Sequence, residues 1–391
     1  MVPSMTGEAD RLTVQALGRA LLRRQGLLEP LDAPLVEAVE TVGAIQAQHW
    51  PAVSVALGSR IAGFAPEDLY EALERGDLVT GTLLRTTLHL VSAREHPAYA
   101  AVVAAIGGDD WRRTDAEPSP EVDALRAELL SYARERPRSG QEIAEFIEKW
   151  VAGHPDAIDP AELEHQRKYR WRPFLRWTAF VRAPADGRWG TKAPAALRAA
   201  PGAAERAGFA GEPAGDEALD VVVRRHLRAF GPAAPEDVAG WIGWRTPPVR
   251  AALERLEPEL VRFEGEDGRP LYDLPEAPRP HPETPAAPRL LAAFDSVLLA
   301  YAAKRRARIL PDAYRDAVYE RANLRIRPSF LIDGRVAGTW SVEVRRREAT
   351  VTLHPLARLA KKERAGLVEE AERLARAVQP EAKAHRVVVE R

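Results

Sequence analysis

Apolar positions recur at helical spacing through the first stretch of the chain. Leu12, Ala16, Ala20 and Leu21 predict one helix face, and Leu35, Val36, Val39 and Val42 a second within Pro34 to Gln46. Ala65-Pro66-Glu67-Asp68-Leu69 predicts a helix start, with Pro and acids in the first turn. Thr82 to Val91, rich in Thr, Leu and Val, predicts a strand. A second segment opens near Pro120. Helices are expected over Val122 to Tyr132, after Ser139 as a cap (with Ile143, Phe146 and Ile147 inward), and over Ala161 to Trp171. Phe180-Val181-Arg182, Pro184 to Gly187 and Arg188-Trp189-Gly190 then predict strand, turn, strand.

A third segment repeats this order. Leu219 to Phe230 is amphipathic, Gly231-Pro232 stops it, Pro235 to Trp241 is a short helix, and Thr246-Pro247-Pro248 opens another through Leu253 and Leu256. Leu260 to Phe263 and Pro270 to Leu274 flank an Asp-Gly turn. Three helices followed by a hairpin is the order of a winged helix-turn-helix, and the echo between segments predicts tandem copies. Prolines crowd Pro275 to Pro288, which predicts a linker or extended crossing strand. Beyond it, Phe330 to Ile332, Asp333-Gly334 and Arg335 to Trp340 form a strong hairpin signal. Val342 to Val344 and Thr350 to Leu353 continue it, with a helix over Ala360 to Val378 and a last strand over Arg386 to Val389. The expected fold is α+β: winged-helix segments over 10–115, 116–212 and 213–280, then a β-rich, barrel-like segment over 281–391.

The chain has 391 residues and no cysteine, so disulfides, Cys-ligated zinc and iron–sulfur clusters are excluded. Nine scattered histidines show no ligand spacing, so no metal and no other cofactor is expected. No run of about 18 apolar residues occurs, and Met1 to Asp10 does not read as a secretory signal. The expectation is a cytoplasmic protein with no membrane partner, working as a monomer. Net charge is −1, but it is unevenly distributed. Basic runs occupy His165 to Arg182, Lys304 to Arg308 and Arg345 to Arg347, with acids at Glu8 to Asp10 and Glu254 to Glu266. That polarity allows a basic face on a neutral protein. Arg167, Lys168, Arg170, Arg172 and Arg176 interleave with Tyr169, Trp171, Phe174 and Trp177. The pattern suits phosphate contacts over an apolar support, and equally a core-facing aromatic stripe with solvated cations outside.

Gln46-Ala47-Gln48 follows the second helical pattern, and Leu84-Arg85-Thr86-Thr87-Leu88-His89-Leu90-Val91 follows about forty residues later. Taken as residues, the Gln pair could simply close a helix C-terminus. Arg85 and His89, four apart on the expected strand, share one face. His49 and Trp50 could contact phosphate and stack, or be a surface imidazole and a core indole. Together these segments resemble the AlkZ/YcaQ-like winged-helix DNA glycosylases, whose motif is Gln-hydrophobic-Gln in one branch. The resemblance spans about residues 10 to 389. It includes Phe294 to Leu299 before the Arg-rich turn, Leu310-Pro311, and the hairpin ending at Gly338-Thr339-Trp340. The family often has Arg-Gly-Thr before its His-Leu-Val, where this chain has Arg85-Thr86-Thr87.

The resemblance implies three tandem winged helices forming a concave scaffold for double-stranded DNA, and a role in DNA repair. It implies excision of N7-alkylguanine and, in some members, unhooking of interstrand crosslinks or protection of producers of DNA-alkylating compounds, without full flipping of the base. Gln46 and Gln48 would then be catalytic. An amide is no general base, but its oxygen can orient a water and face a developing oxocarbenium charge. So weak a catalyst needs a good leaving group, which a cationic N-alkylpurine is. Absence of a Lys near the motif favours a monofunctional mechanism. Arg85 and His89, the 167–176 cations, and Lys304, Arg305, Arg306 and Arg308 would serve DNA, although Arg85 could equally be a buried Arg paired with an acid. A non-catalytic winged-helix regulator or DNA-protecting factor is the competing reading. A small-molecule enzyme ranks last, because no cofactor loop or triad is visible.

Overall fold

The structure, a computed structural model, describes residues 11–107, 112, 119–202 and 216–390. The Glu8 to Asp10 acids and the expected boundaries near 115 and 212 lie outside them. The chain divides into two compact, discontinuous units. One comprises Met1–Ile45, Ala52–Pro66 and Val223–Arg391; the other comprises Gln46–Pro51 and Glu67–Val222.

In the larger unit, Thr13 caps the Val14–Arg24 helix by accepting from the Ala16 N–H. Leu12 is therefore not on the helix face expected for it. It belongs to a short strand, Arg11–Leu12, parallel to Val261–Gly265. The second helix, Leu35–Val42, stops at Gly43. Gly43 has φ +81°, and a Cβ there would lie 3.3 Å from Phe230, so chain direction and close packing both favour glycine. The third segment follows its pattern closely. Helices Asp216–Phe230, Pro235–Ile242 and Thr246–Arg255 lead into a hairpin of Val261–Gly265 and Pro270–Asp273. Arg24 ties the first helix to this hairpin through Asp273 at 2.7 Å, both side chains buried. Arg60 and Asp295 form a second buried pair at 2.6 Å. Removing either carboxylate would strand a guanidinium, which is where the large free energies of such pairs lie.

The C-terminal part is β-rich, but its sheet is open rather than barrel-like. Five strands run in the order Ala384–Val389, Glu348–Pro355, Arg335–Arg345, Ser329–Ile332, Arg289–Leu291. The first and last strands of that order are not paired to each other. The Lys361–Val378 helix covers the sheet, burying Leu367, Ala371 and Leu374 at i, i+4, i+7 spacing. Asp333 and Gly334, at φ 46° and 78°, make the expected two-residue turn.

In the smaller unit, helices Glu121–Glu135, Gly140–Gly153 and Pro160–Lys168 precede strands Phe180–Ala183 and Ala196–Ala199. Ser139 and Glu142 form a reciprocal capping box on the middle helix. The return strand begins at Ala196, not at Arg188 as expected, although Gly187 does turn with φ 72°. These strands do not stand alone. They extend one sheet in the order Ile45–Gln46, Leu88–Ser92, Leu78–Thr82, Phe180–Ala183, Ala196–Ala199. Strands from the first two expected segments therefore share a ladder, joined at Gly81–Val181. Among the described residues no helix is long and apolar enough to cross a membrane.

Candidate active site and nucleic-acid interface

Gln46 lies in a short strand, Ile45–Gln46, three residues past Gly43, and not at a helix C-terminus. The extended chain continues, with the Ala47 N–H donating to the Leu88 carbonyl at 2.7 Å. Residues 46 and 48 therefore share a side of the strand while Ala47 is buried between them. Gln46 is buried and Gln48 exposed. The Gln48 amide oxygen accepts from the Leu88 N–H at 3.3 Å, and the Gln46 oxygen accepts from Arg85 Nη2 at 3.5 Å. Both amides are thus oriented by the 83–89 hairpin.

That hairpin corrects the expectation of one strand over Thr82 to Val91. Leu78–Thr82 and Leu88–Ser92 are antiparallel neighbours joined by a single turn at Leu84–Thr86. Arg85 and Thr86 are both left-handed, each with φ 54°. Such residues are disfavoured by about 1–2 kcal/mol apiece. Local bonds hold them: Thr86 N–H to the Leu83 carbonyl at 2.9 Å, Thr86 Oγ1 to the Arg85 carbonyl at 2.7 Å, and Thr87 Oγ1 to the Leu84 carbonyl at 3.1 Å. Thr86 occupies the place where the resembling pattern carries Gly, and its backbone has the conformation that glycine suits.

Arg85 and His89 do meet, but through the turn and not along a strand face. Arg85 Nη2 lies 3.3 Å from His89 Nε2, and His89 Nδ1 lies 2.9 Å from the Thr87 carbonyl. A carbonyl only accepts, so Nδ1 carries the proton, and Nε2 presents a lone pair to the Arg85 N–H. The charge state agrees. Burial, reinforced by the Arg85 charge, pulls the His89 pKa down to about 3 against the opposing Thr87 bond. His89 is therefore a neutral, buried acceptor that holds Arg85 beside Gln46. Its exposure is 0%, so it lies inside the fold and not on the surface where a phosphate contact was expected of it. Trp50 is likewise internal: its indole N–H donates to the Gly190 carbonyl at 2.8 Å, and its ring tilts against Trp189 at 5.9 Å. His49 is exposed.

The 165–182 segment resolves both of its readings at once. Trp171 and Phe174 are buried, and the Trp171 N–H donates to Glu148 at 2.9 Å. Left-handed Arg170 and Trp171 end the helix at Lys168, short of the expected Trp171. Arg167 pairs with Glu148 at 2.7 Å, which holds that carboxyl below its ordinary range. Lys168, Arg170, Arg172 and Arg176 are exposed, with no ion-pair partner among the described residues. These four cations are exposed around the buried Trp171 and Phe174.

The 304–308 run divides differently. Lys304 is exposed. Arg305 pairs with Asp237 at 2.8 Å and Glu236 at 3.3 Å. Arg306 donates to the Tyr301 carbonyl and lies 5.2 Å from the Tyr319 ring. Arg308 is buried, donates to the Pro232 carbonyl at 3.1 Å, and stacks over Tyr301 at 3.9 Å. Arg305, Arg306 and Arg308, expected to meet phosphate, thus each have at least one donor or ring contact engaged within the fold, whereas Lys304 is exposed. A better-exposed group is Arg345, Arg346 and Arg347, noted in the sequence only as a basic run. Residues 341–348 are all exposed, and Arg346 and Arg347 form the tip turn with φ 48° and 67°. A two-residue turn usually carries Asn-Gly, so arginines at both positions mark a strained, outward-facing tip.

Comparison with known proteins identifies the family. The family described as "DNA glycosylase AlkZ-like" matches residues 39–377. A protein of Streptomyces sahachiroi named "Interstrand DNA cross-link repair glycosylase" is 28% identical over 352 residues, covering 85% of this chain and 88% of that protein. The solved structure titled "Streptomyces sahachiroi DNA glycosylase AlkZ" superposes with a TM-score of 0.75 at 22% identity, covering 97% of this chain and 100% of that one, a likeness of fold. The family match spans both compact units and includes the Gln pair and its hairpin: the chain belongs to the AlkZ-like DNA glycosylase family.

Proposed function

We propose that this protein is a monofunctional DNA glycosylase that hydrolyses the N-glycosidic bond of cationic N7-alkylguanine and unhooks interstrand crosslinks of that chemistry. The observation that carries the reading is the pair of amide oxygens, Gln46 and Gln48, fixed on one hairpin beside Arg85 and neutral His89. Amide oxygens hold a water near the anomeric carbon and face the cationic sugar as the bond breaks. They remove almost no proton from that water, so most of the driving force must come from the leaving base. A purine already carrying positive charge leaves as a neutral molecule, whereas an unmodified base does not. Arg85, held by His89, keeps Gln46 oriented and places positive charge where a phosphate of the lesion strand approaches.

Support for the crosslink substrate comes from the name of the 28% identical relative. A Schiff-base route is disfavoured, because the first lysine of the chain is Lys149, far along from the Gln pair. Lys168, Arg170, Arg172 and Arg176 bind backbone phosphates for the smaller unit, and Lys304 with Arg346 does so for the larger. The protein works as a cytoplasmic monomer on alkylated double-stranded DNA, with three winged-helix segments as its scaffold.

Incubation with a duplex bearing one N7-methylguanine tests this. Release of free base, an abasic site cleaved only after alkali, and no borohydride-trapped adduct are expected. Binding without release from methylated or crosslinked duplex would make the protein a DNA-binding factor instead.

A further inference from the structure

The smaller unit holds a cavity of about 630 Å³ that none of Gln46, Gln48, Arg85 or His89 lines. Its walls include Leu78 and Val79 from one strand and Arg182 and Ala183 from the next, with Pro184 just beyond it, strands that share only the Gly81–Val181 pair. Trp189 also lines it.

Among the described residues four arginines line this cavity: Arg75, Arg134, Arg182 and Arg198. Arg75 is matched by Asp77 at 2.8 Å and Glu71 at 3.6 Å. The guanidinium groups of the other three have no ion pair or hydrogen bond among the described residues. Among the described residues Glu74 is the one acid in the lining, and it is exposed. Arg182 is half-buried on its strand, and burial alone lowers its pKa. A guanidinium does not lose its proton in a protein, so the charge persists. Elsewhere in this fold a withdrawn arginine has a carboxylate or carbonyls, as Arg24, Arg60, Arg138 and Arg305 do. Only Arg182 is withdrawn, while Arg134 and Arg198 are exposed to water; three forks with no protein partner around one concavity that Trp189 also lines suit an anion carrying an apolar body.

We propose that this cavity is a second site, a nucleotide-phosphate pocket. Arg182, Arg134 and Arg198 bind the phosphate oxygens, and Trp189 flanks the sugar or base. The phosphate comes from a free nucleotide or from the 5′-phosphorylated end of a single DNA strand. Its arginines are distinct from the Gln pair, although Trp189 also packs on Trp50 at 5.9 Å, and the proposal does not rest on the glycosylase reading.

Titration calorimetry on the intact protein tests it, with deoxyguanosine 5′-monophosphate, a 5′-phosphorylated trinucleotide, and the same trinucleotide unphosphorylated. Saturable binding of a phosphorylated probe, weakened about tenfold or more by Arg182→Gln, is expected, since charge-assisted bonds are the stronger class. Arg134→Gln with Arg198→Gln, changing exposed side chains only, should weaken it comparably and guards against misfolding of the Arg182 variant. Preference for the mononucleotide would identify a free nucleotide as the source. Preference for the phosphorylated strand would identify the strand end. Equal binding of the unphosphorylated strand, no saturable binding of any probe, or undiminished binding in both variants would overturn the proposal. Base release from methylated duplex, measured on the same variants, should stay at the wild-type rate, so failure here and failure of the glycosylase reading are read separately.

Discussion

Replacing His89 by Asn should flatten the acid dependence of stability. In the folded chain His89 titrates near 3, chiefly because it is buried and secondly because Arg85 faces it. In the unfolded chain it titrates near the ordinary 6.5. The folded pKa is the lower one, so the unfolded state binds more protons as pH falls. The contribution is intact above about pH 6.5 and is lost progressively between there and about pH 3. From pH 7 to pH 5 the unfolded imidazole becomes almost fully charged while the folded one stays neutral, which amounts to about 2 kcal/mol. That size hardly depends on where below about pH 4 the folded group titrates. Asn keeps an N–H for the Thr87 carbonyl, which also accepts from the Leu83 N–H. The variant should therefore fold while losing the titrating group. Urea unfolding at both pH values, followed by tryptophan fluorescence, should show the wild type losing about 2 kcal/mol more than His89→Asn. His226 titrates near 4 for the same reason and adds an equal loss to both proteins, so it cancels in the difference. Equal losses in wild type and variant would refute the neutral-acceptor role and the Arg85 geometry built on it.

Other outcomes rest on the same geometry. Asp295→Ala should destabilise the larger unit by about 3–5 kcal/mol by stranding Arg60, and Asp295→Leu with Arg60→Met should recover much of that in urea unfolding. Thr86→Gly should change stability by less than about 1 kcal/mol, because relief of the left-handed strain offsets glycine's unfolded-state entropy, whereas Thr86→Val should be clearly less stable. Changing Lys168, Arg170, Arg172 and Arg176 to Gln should weaken duplex binding and reduce the salt slope by about 0.9 for each phosphate no longer neutralised, measured by fluorescence anisotropy over a salt series.

Much of the third segment was legible because its boundaries are chemical: Gly231-Pro232 after a helix, Pro235 and Pro247 at helix starts, Asp267-Gly268 at a turn. Asp333-Gly334 announced its hairpin for the same reason. The 78–92 hairpin hid because its turn residues, Arg85 and Thr86, are not turn formers. Local bonds within the loop hold them there instead, and these leave no mark on periodicity. The return strand at Ala196–Ala199 escaped because Asp186-Gly187 suggested an immediate reversal. The family was legible from the segments around the Gln pair, while the Arg85–His89 contact was expected from the wrong geometry. The internal duties of Arg305, Arg306 and Arg308 were invisible, since Asp237, Pro232 and the aromatic rings that engage them are distant in sequence or indistinct in pattern.

Single-turnover base release from an N7-methylguanine duplex, comparing wild type with Gln46→Ala and Gln48→Ala at equal duplex occupancy, tests the central claim most directly. Each alanine should slow release by about a hundredfold to a thousandfold while leaving duplex affinity near wild type, the range expected for removing one pre-oriented dipole. Release at the wild-type rate in both variants would contradict the assignment of the Gln pair as the catalytic centre.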